Sequence, residues 1–215
     1  MIARKKVAVI GGGVSGLAAA KAFDERGHRV VGFERSHDFG GVWELSRSYP
    51  DVQTQSPKDL YCYTDHPMPD AYPEWPKGHQ VHAYLHSYAE KHKLHRLFRL
   101  NTNVKSMDRR DDGAPGWTLT LEAGGHVWTE DYDFVAIGTG QFSDKNAISH
   151  PGQGGFGAAE NDHTLARDQR GIGIFRRMHH RTAGVLKSSL TGMGNGVLVR
   201  ELSGADGHEI IVLRP

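Results

Sequence analysis

The sequence predicts an α/β fold: a parallel sheet with helices, a β-meander attached to it, and an irregular C-terminal tail. Three observations carry that expectation. A short apolar strand, Lys5 to Ile10, runs into glycines at 11, 13 and 16, and a helical pattern opens on them. Alternating residues from Trp117 to Tyr132 fold back at Gly124-Gly125. A second buried-type strand, Asp133 to Ile137, ends in Gly138-Thr139-Gly140.

The first element organises the rest. Gly11, Gly13 and Gly16 stand in G-x-G-x-x-G spacing directly after Val7-Ala8-Val9-Ile10. A helix is predicted from Val14 to about Arg26, through Leu17, Ala20 and Phe23, and Gly27 is placed to end it. His28 to Phe33 reads as a second strand that ends at Glu34, about twenty positions beyond the glycines. This is a Rossmann-like unit for a dinucleotide. Gly11 permits the tight turn, Gly13 leaves room for a pyrophosphate at the backbone, and Gly16 lets the helix pack against the strands. The first turn, with Gly12, Val14 and Ser15, offers N–H groups and a partial positive charge to phosphates. Glu34 can accept hydrogen bonds from ribose hydroxyls.

Asp38-Phe39-Gly40-Gly41-Val42-Trp43 follows. A paired glycine there suggests backbone passing close to a ligand again. Beside the first motif, Trp43 reads as covering a flat ring rather than as core. Residues 45–80 are rich in Pro, Tyr and Asp, too aromatic for a disordered linker and too proline-rich for long helices. A helix resumes at Gly78 and ends near Lys93, with Val81, Tyr84, Leu85, Tyr88 and Ala89 on one face. His79, His82, His86, His92 and His95 lie in or just past it. His82 and His86 are one turn apart, a spacing that can hold a metal. With no H-E-x-x-H and no cysteine set nearby, they read as solvated helix histidines, and no metal is predicted. Phe98 to Val104 reads as one short strand and Asp108 to Gly116 as a polar turn.

Composition narrows the partners. A net charge of +1 gives no basic field for nucleic acid. No apolar run approaches the ~20 residues of a membrane span. The single cysteine, Cys62, excludes an internal disulfide and fits a reducing, cytoplasmic setting. The chain goes straight into a strand, so no signal peptide is expected. Past about residue 144 the character changes: nine Arg and eight Lys before it give way to seven Arg and two Lys. Residues 160–192 show no clean period, while Val197 to Val212 reads as a hairpin turning at Gly204-Ala205-Asp206-Gly207.

Taken together, these residues resemble the flavin-containing monooxygenases and their relatives among the NADPH-dependent, FAD-binding monooxygenases. The resemblance runs from about Val7 to Phe156. It rests on the fingerprint with Glu34, on Gly40-Gly41-Val42-Trp43, and on Thr54-Gln55-Ser56-Pro57-Lys58-Asp59-Leu60 with the Tyr- and Pro-rich stretch after it. It also rests on Asp133 to Ser143 and on Pro151-Gly152. It implies an FAD-binding domain over residues 1–156. Gly11, Gly12, Gly13, Val14, Ser15 and Gly16 would hold the FAD pyrophosphate, and Glu34 with Arg35 the adenosine side. Gly41, Val42, Trp43 and Ser56 would lie along the cofactor, as would Val104. Gly138, Thr139 and Gly140 would mark the crossing towards a nicotinamide domain. Gln55 would act at the catalytic centre. The implied chemistry uses NADPH to reduce the flavin and oxygen to oxygenate a small-molecule nucleophile or ketone.

Three departures stand out. The family commonly has Asn where Gln55 stands. After Phe156, Ala158 stands where Gly is expected, and His163 is one place late for an F-x-G-x-x-x-H pattern. No second G-x-G-x-x-G unit for NADPH follows; Gly192-Met193-Gly194-Asn195-Gly196 has the wrong spacing. Residues 157–215 are therefore an uncertain tail. Two other readings stay open: a truncated or frame-shifted flavoprotein fragment that binds FAD without turnover, and another flavoprotein with two dinucleotide sites. The sequence names neither the substrate nor the oligomeric state.

Overall fold

The computed structural model describes residues 4–140 and, further along, the backbone of two strands at 198–203 and 209–214. The chain opens with β1 (Lys6–Ile10), α1 (Val14–Glu25) and β2 (Arg29–Phe33), as the glycine motif predicts. Two 3-10 turns, Gly41–Trp43 and Leu45–Arg47, lead into an otherwise irregular stretch, and α2 spans Gly78–Lys91. Then come β3 (Phe98–Arg99), β4 (Asn103–Arg109), β5 (Trp117–Ala123), β6 (His126–Tyr132) and β7 (Phe134–Ile137). The last strands are β8 (Leu198–Ser203) and β9 (Glu209–Arg214).

The strands form two sheets. One has the order β3-β2-β1-β7-β9-β8, the other β4-β5-β6. Every neighbouring pair of the first is parallel except β8 with β9. Its middle strands are apolar without a break because both of their faces are covered. Val9 and Ala136 face the helices, packing with Leu17, Val81 and Leu85. Ala8, Val135 and Ile137 face the meander, packing with Trp117, Leu119 and Leu121. The layers are thus helices, parallel sheet and meander.

One predicted strand is two. Phe98 to Val104 breaks after Arg99, where Asn101 takes a left-handed φ of 52°. The chain leaves the parallel sheet there, and β4 then runs on to Arg109, inside the predicted turn. A register shift between Val104 and Ser106 puts the buried Val104 and Met107 three apart, so the strand lacks the period of two that would reveal it. β8 and β9 pair antiparallel, and β9 lies parallel to β7, pairing Val135 with Ile210. An isolated hairpin is marginal, and this pair adds to an existing sheet. The readings made of residues 141–197 and of the turn at 204–208 lie outside the described residues. They include Gln141 to Ser143, Pro151-Gly152, Phe156, Gly192 to Gly196 and most of the tail.

Candidate functional site

β1, β2 and β7 end level with one another: Ile10 pairs with Phe33 on one side and with Ile137 on the other. The chain passes from β1 to β2 and β3 on one side and lays β7 and β9 on the other. The strand order therefore reverses beside β1, the point where open α/β sheets bind ligands outside their carboxyl ends. Three predicted segments meet at this edge: Gly11 to Gly16, Glu34 with Arg35, and Gly138 to Gly140.

The glycines have different reasons to be glycine. Gly11 has φ +103° and donates its N–H to the Phe33 carbonyl at 2.8 Å. A Cβ on Gly16 would stand 1.8 Å from the Gly11 carbonyl oxygen, so only glycine lets α1 start this close to the turn. Gly138 closes the same contact, since its own Cβ would lie 3.0 Å from the Gly16 nitrogen. Gly13 differs: a Cβ there would meet nothing nearer than the Gly41 Cα at 3.4 Å, an ordinary contact. Among the described residues nothing requires it to be bare.

Around that bare spot the polar groups converge. The first N–H groups of α1 have no acceptor within the helix. Glu34 is buried and accepts the Gly12 N–H at 2.6 Å and the Ser36 N–H at 2.8 Å, one on each oxygen. A carboxylate has about four lone-pair positions, so two remain for hydroxyls. The second glycine loop leans on the first: the Gly40 N–H donates to the Gly12 carbonyl at 3.1 Å, and Gly41 takes φ +60°. Arg35 is exposed. Thr102 donates its N–H to the Glu34 carbonyl at 2.9 Å, which brings Val104, two residues on, to the end of β2.

Trp43 is buried in the helix-side core, its indole N–H donating to the Tyr61 hydroxyl at 2.8 Å, while the neighbouring Val42 side chain is exposed. Glu44 next to it is 2% exposed. Burial pushes its carboxyl up, and hydrogen bonds from Ser46 outweigh this and hold it below the ordinary value. A cavity of about 600 Å³ is lined by Tyr49, Asp51, Val52, Gln53, Thr54, Gln55 and Trp75. Gln55 is exposed at it and Ser56 half-buried. The buried Thr54 hydroxyl has no hydrogen-bond partner among the described residues. Thr139 and Gly140 are exposed just past the edge, Gly140 at φ +75°.

Sequence reasoning missed the ties that hold these loops. Tyr63 donates its hydroxyl to the Val14 carbonyl at 2.7 Å, while the Tyr84 hydroxyl takes the Tyr63 N–H at 2.7 Å. Burial first, then the neighbouring tyrosines, pushes Tyr63 well above its ordinary value, so it stays protonated as a donor. Phe39 fills the space beneath Gly12. Of the five histidines read as solvated, His79 and His95 are exposed as expected. His82 is not: its side chain is 12% exposed and its Nε2 lies 3.0 Å from an Asp38 oxygen. His86 reaches the other Asp38 oxygen, and His92 reaches Asp65. Burial pushes His86 and His92 below the ordinary histidine value, against the pull of those carboxylates. No spacing rule links residues so far apart in sequence.

The fold, with its glycine turn at the carboxyl end of a parallel sheet, is of the dinucleotide-binding kind. Residues 4–162 match the family model described as flavin-binding monooxygenase-like, and the chain belongs to that family. Human flavin-containing monooxygenase 5 is 35% identical over 147 residues, 64% of this chain and 28% of that protein. The chain therefore spans less than a third of the length of that relative. A steroid monooxygenase solved with NADP bound matches with a TM-score of 0.59 and 26% identity over 70% of this chain and 29% of its own. The S-allyl-L-cysteine S-oxygenase of Allium sativum shares the fold with a TM-score of 0.61 and 22% identity, covering 69% of this chain and 39% of its own. FAD and NADPH are the cofactors of the family, and the bare Gly13, the helix N-terminus and the half-used Glu34 carboxylate fit the first of them.

Proposed function

We propose that this chain is the FAD-binding portion of a flavin-dependent monooxygenase that uses NADPH and oxygen to oxygenate a small-molecule nucleophile or ketone. The carrying observation is Gly13. Gly11 and Gly16 are explained by the protein's own backbone, whereas no described residue requires Gly13 to be bare. The N–H groups of Gly13 to Gly16 hold the pyrophosphate, and Glu34 takes the adenosine ribose with Arg35 and Val104 beside it. Gly41, Val42 and Trp43 form the wall along the cofactor, with Trp43 held by Tyr61. Gln55 lines the cavity, where its amide offers both a donor and an acceptor, and Ser56 follows it along the cofactor. Gly138, Thr139 and Gly140 lead away from the cofactor towards the nicotinamide side. When bound, FAD supplies the hydride and oxygen chemistry; the residues here bind, orient and shield it.

Residues 1–156 are the FAD-binding domain of this reading, and a small molecule is its substrate. Among the described residues no helix is long and apolar enough to cross a membrane. A cytoplasmic setting rests on the lone Cys62. The deciding experiment is Gly13→Ala. It should leave the fold and its thermal midpoint almost unchanged and weaken FAD retention about tenfold or more, at least ~1.4 kcal/mol. Ligand released by heat from the unaltered protein should run as FAD on chromatography. FMN there, or equal FAD retention by Gly13→Ala, would overturn the assignment.

A further inference from the structure

Asp38, four residues beyond Glu34, lies in the loop that carries Gly40 and Gly41. Its two carboxylate oxygens face two histidines on adjacent turns of α2. His82 Nε2 is 3.0 Å from Oδ2, and His86 Nε2 is 2.9 Å from Oδ1. One donor atom from each of the three residues lies within 4.8 Å of the other two. The group is partly sheltered, with side-chain exposures of 12% for His82, 33% for His86 and 28% for Asp38. The Phe39 and His95 rings flank it.

Hydrogen bonding explains one half of this cluster and not the other. His82 and Asp38 make an aligned hydrogen bond. The His86 Nε2 is sealed from solvent, yet it makes no aligned hydrogen bond to any described residue. A close, sealed, badly aligned nitrogen is poor as a donor to the carboxylate. It is available as a lone pair within 4.8 Å of the donor atoms of His82 and Asp38. Zinc takes imidazole nitrogen at ~2.0–2.1 Å and carboxylate oxygen at ~2.0–2.2 Å in tetrahedral geometry, which sets its ligands ~3.3 Å apart. The two Asp38–histidine distances need to open by only a few tenths of an ångström to reach that separation.

The geometry points to a site for a divalent transition-metal cation of the zinc class, held by Asp38, His82 and His86 with water in the fourth position. Two imidazoles and one carboxylate suit zinc or cobalt and not calcium or magnesium, which demand a shell of oxygens. The ion has a structural consequence. Asp38 leads through Phe39 to Gly40, whose N–H is bonded to the Gly12 carbonyl, and to Gly41, which abuts Gly13. Fixing Asp38 to α2 therefore fixes the second glycine loop against the first. The argument rests on side chains alone and stands whether or not the monooxygenase reading holds.

The test uses the full chain stripped with a chelator and titrated with zinc chloride against a chromophoric competitor, then with cobalt chloride. One equivalent should bind saturably, with a four-coordinate cobalt spectrum and no thiolate-to-cobalt charge transfer. Equal concentrations of calcium or magnesium should not displace it. His82→Ala, His86→Ala and Asp38→Asn should each weaken binding more than about tenfold, and His79→Ala, on the exposed side of the same helix, should not. A second measurement needs no variant: zinc should protect His82 and His86 from histidine acylation read by mass spectrometry. Absence of a saturable equivalent would overturn the site. So would binding indifferent to all three substitutions, protection of other histidines instead, or effective competition by calcium.

Discussion

The two faces of the parallel sheet are covered in different ways. On one face lies the meander, three consecutive strands paired with their chain neighbours, with Leu119, Leu121 and Val104 against Ala8 and Ile137. On the other face lie α1, α2 and the loops after β2, held by contacts between residues far apart in sequence. Tyr63 reaches Val14, Tyr61 reaches Trp43, and His82 reaches Asp38. The glycine turn and the cavity belong to this second face. Both faces carry an apolar core, and the helical face adds polar ties whose product is the position of a few backbone N–H groups. The difference predicts that damage to the meander costs stability, while damage to the helical face costs stability, cofactor or both.

The largest effect should come from Gly16→Ala. A Cβ there meets the Gly11 oxygen at 1.8 Å, and both atoms belong to backbone with no room to give. Moving α1 away would also open its contact with Gly138. The expected cost is more than about 4 kcal/mol, most of a small domain's stability. Soluble yield and urea unfolding are the readouts. A variant that folds with a midpoint close to that of the unaltered chain would show that α1 can slide over β1, and the contrast between Gly16 and Gly13 would collapse.

Next comes Leu119→Ala on the other face. Leu119 is fully buried at the centre of β5. Its truncation should cost ~2–5 kcal/mol. The molecules that remain folded should hold FAD nearly as tightly as before, because no residue of the glycine turn lies in that cluster and Val104 is its one member placed beside the cofactor. Flavin per folded molecule, measured beside the unfolding curve, separates the two quantities. A parallel loss of flavin would mean that the faces are coupled through β1 and the division drawn above is wrong.

Legibility in the sequence follows the same division. β1, α1, β2, β5, β6 and β7 could be read because each repeats a local period or ends on a glycine. β4 could not be read fully, because its bulge breaks the period of two. At the site, the steric roles of Gly11 and Gly16 followed from motif spacing alone. The sequence points to Trp43 as a ring cover, and the structure adds what spacing does not show, an indole packed into the helix-side core and tied to Tyr61. The Asp38 cluster was invisible for a different reason. Histidine spacing on a helix shows which residues share a face, but not that an aspartate from a loop more than forty residues earlier meets that face.

The smallest and most selective effect concerns Glu130, where the meander meets the sheet. It accepts the Trp128 indole N–H at 3.0 Å and the Tyr132 hydroxyl at 2.8 Å, pairs with Arg99 of β3, and has Lys6 of β1 3.7 Å away. Burial pushes its carboxyl up, but these donors and the Arg99 charge outweigh that and bring it from 4.5 down to about 2. The folded value lies below the unfolded one, so the stabilisation is fully present above pH 4.5 and is lost as the pH falls towards 2. At ~1.4 kcal/mol per unit the ceiling is ~3 kcal/mol, and solvent at a side chain 20% exposed lowers it to ~2 kcal/mol. Glu130→Gln should therefore be less stable than the unaltered protein at pH 7 by about that amount. Towards pH 2.5 most of that difference should disappear, because the carboxyl of the unfolded chain is then protonated and the folded one is nearing its own value of about 2. Urea midpoints taken at both values test this. Curves offset equally at both would mean that Glu130 acts through shape and not through charge. Flavin retention at pH 7 should be the same in both proteins, since Glu130 ties down the face that carries no part of the cofactor turn.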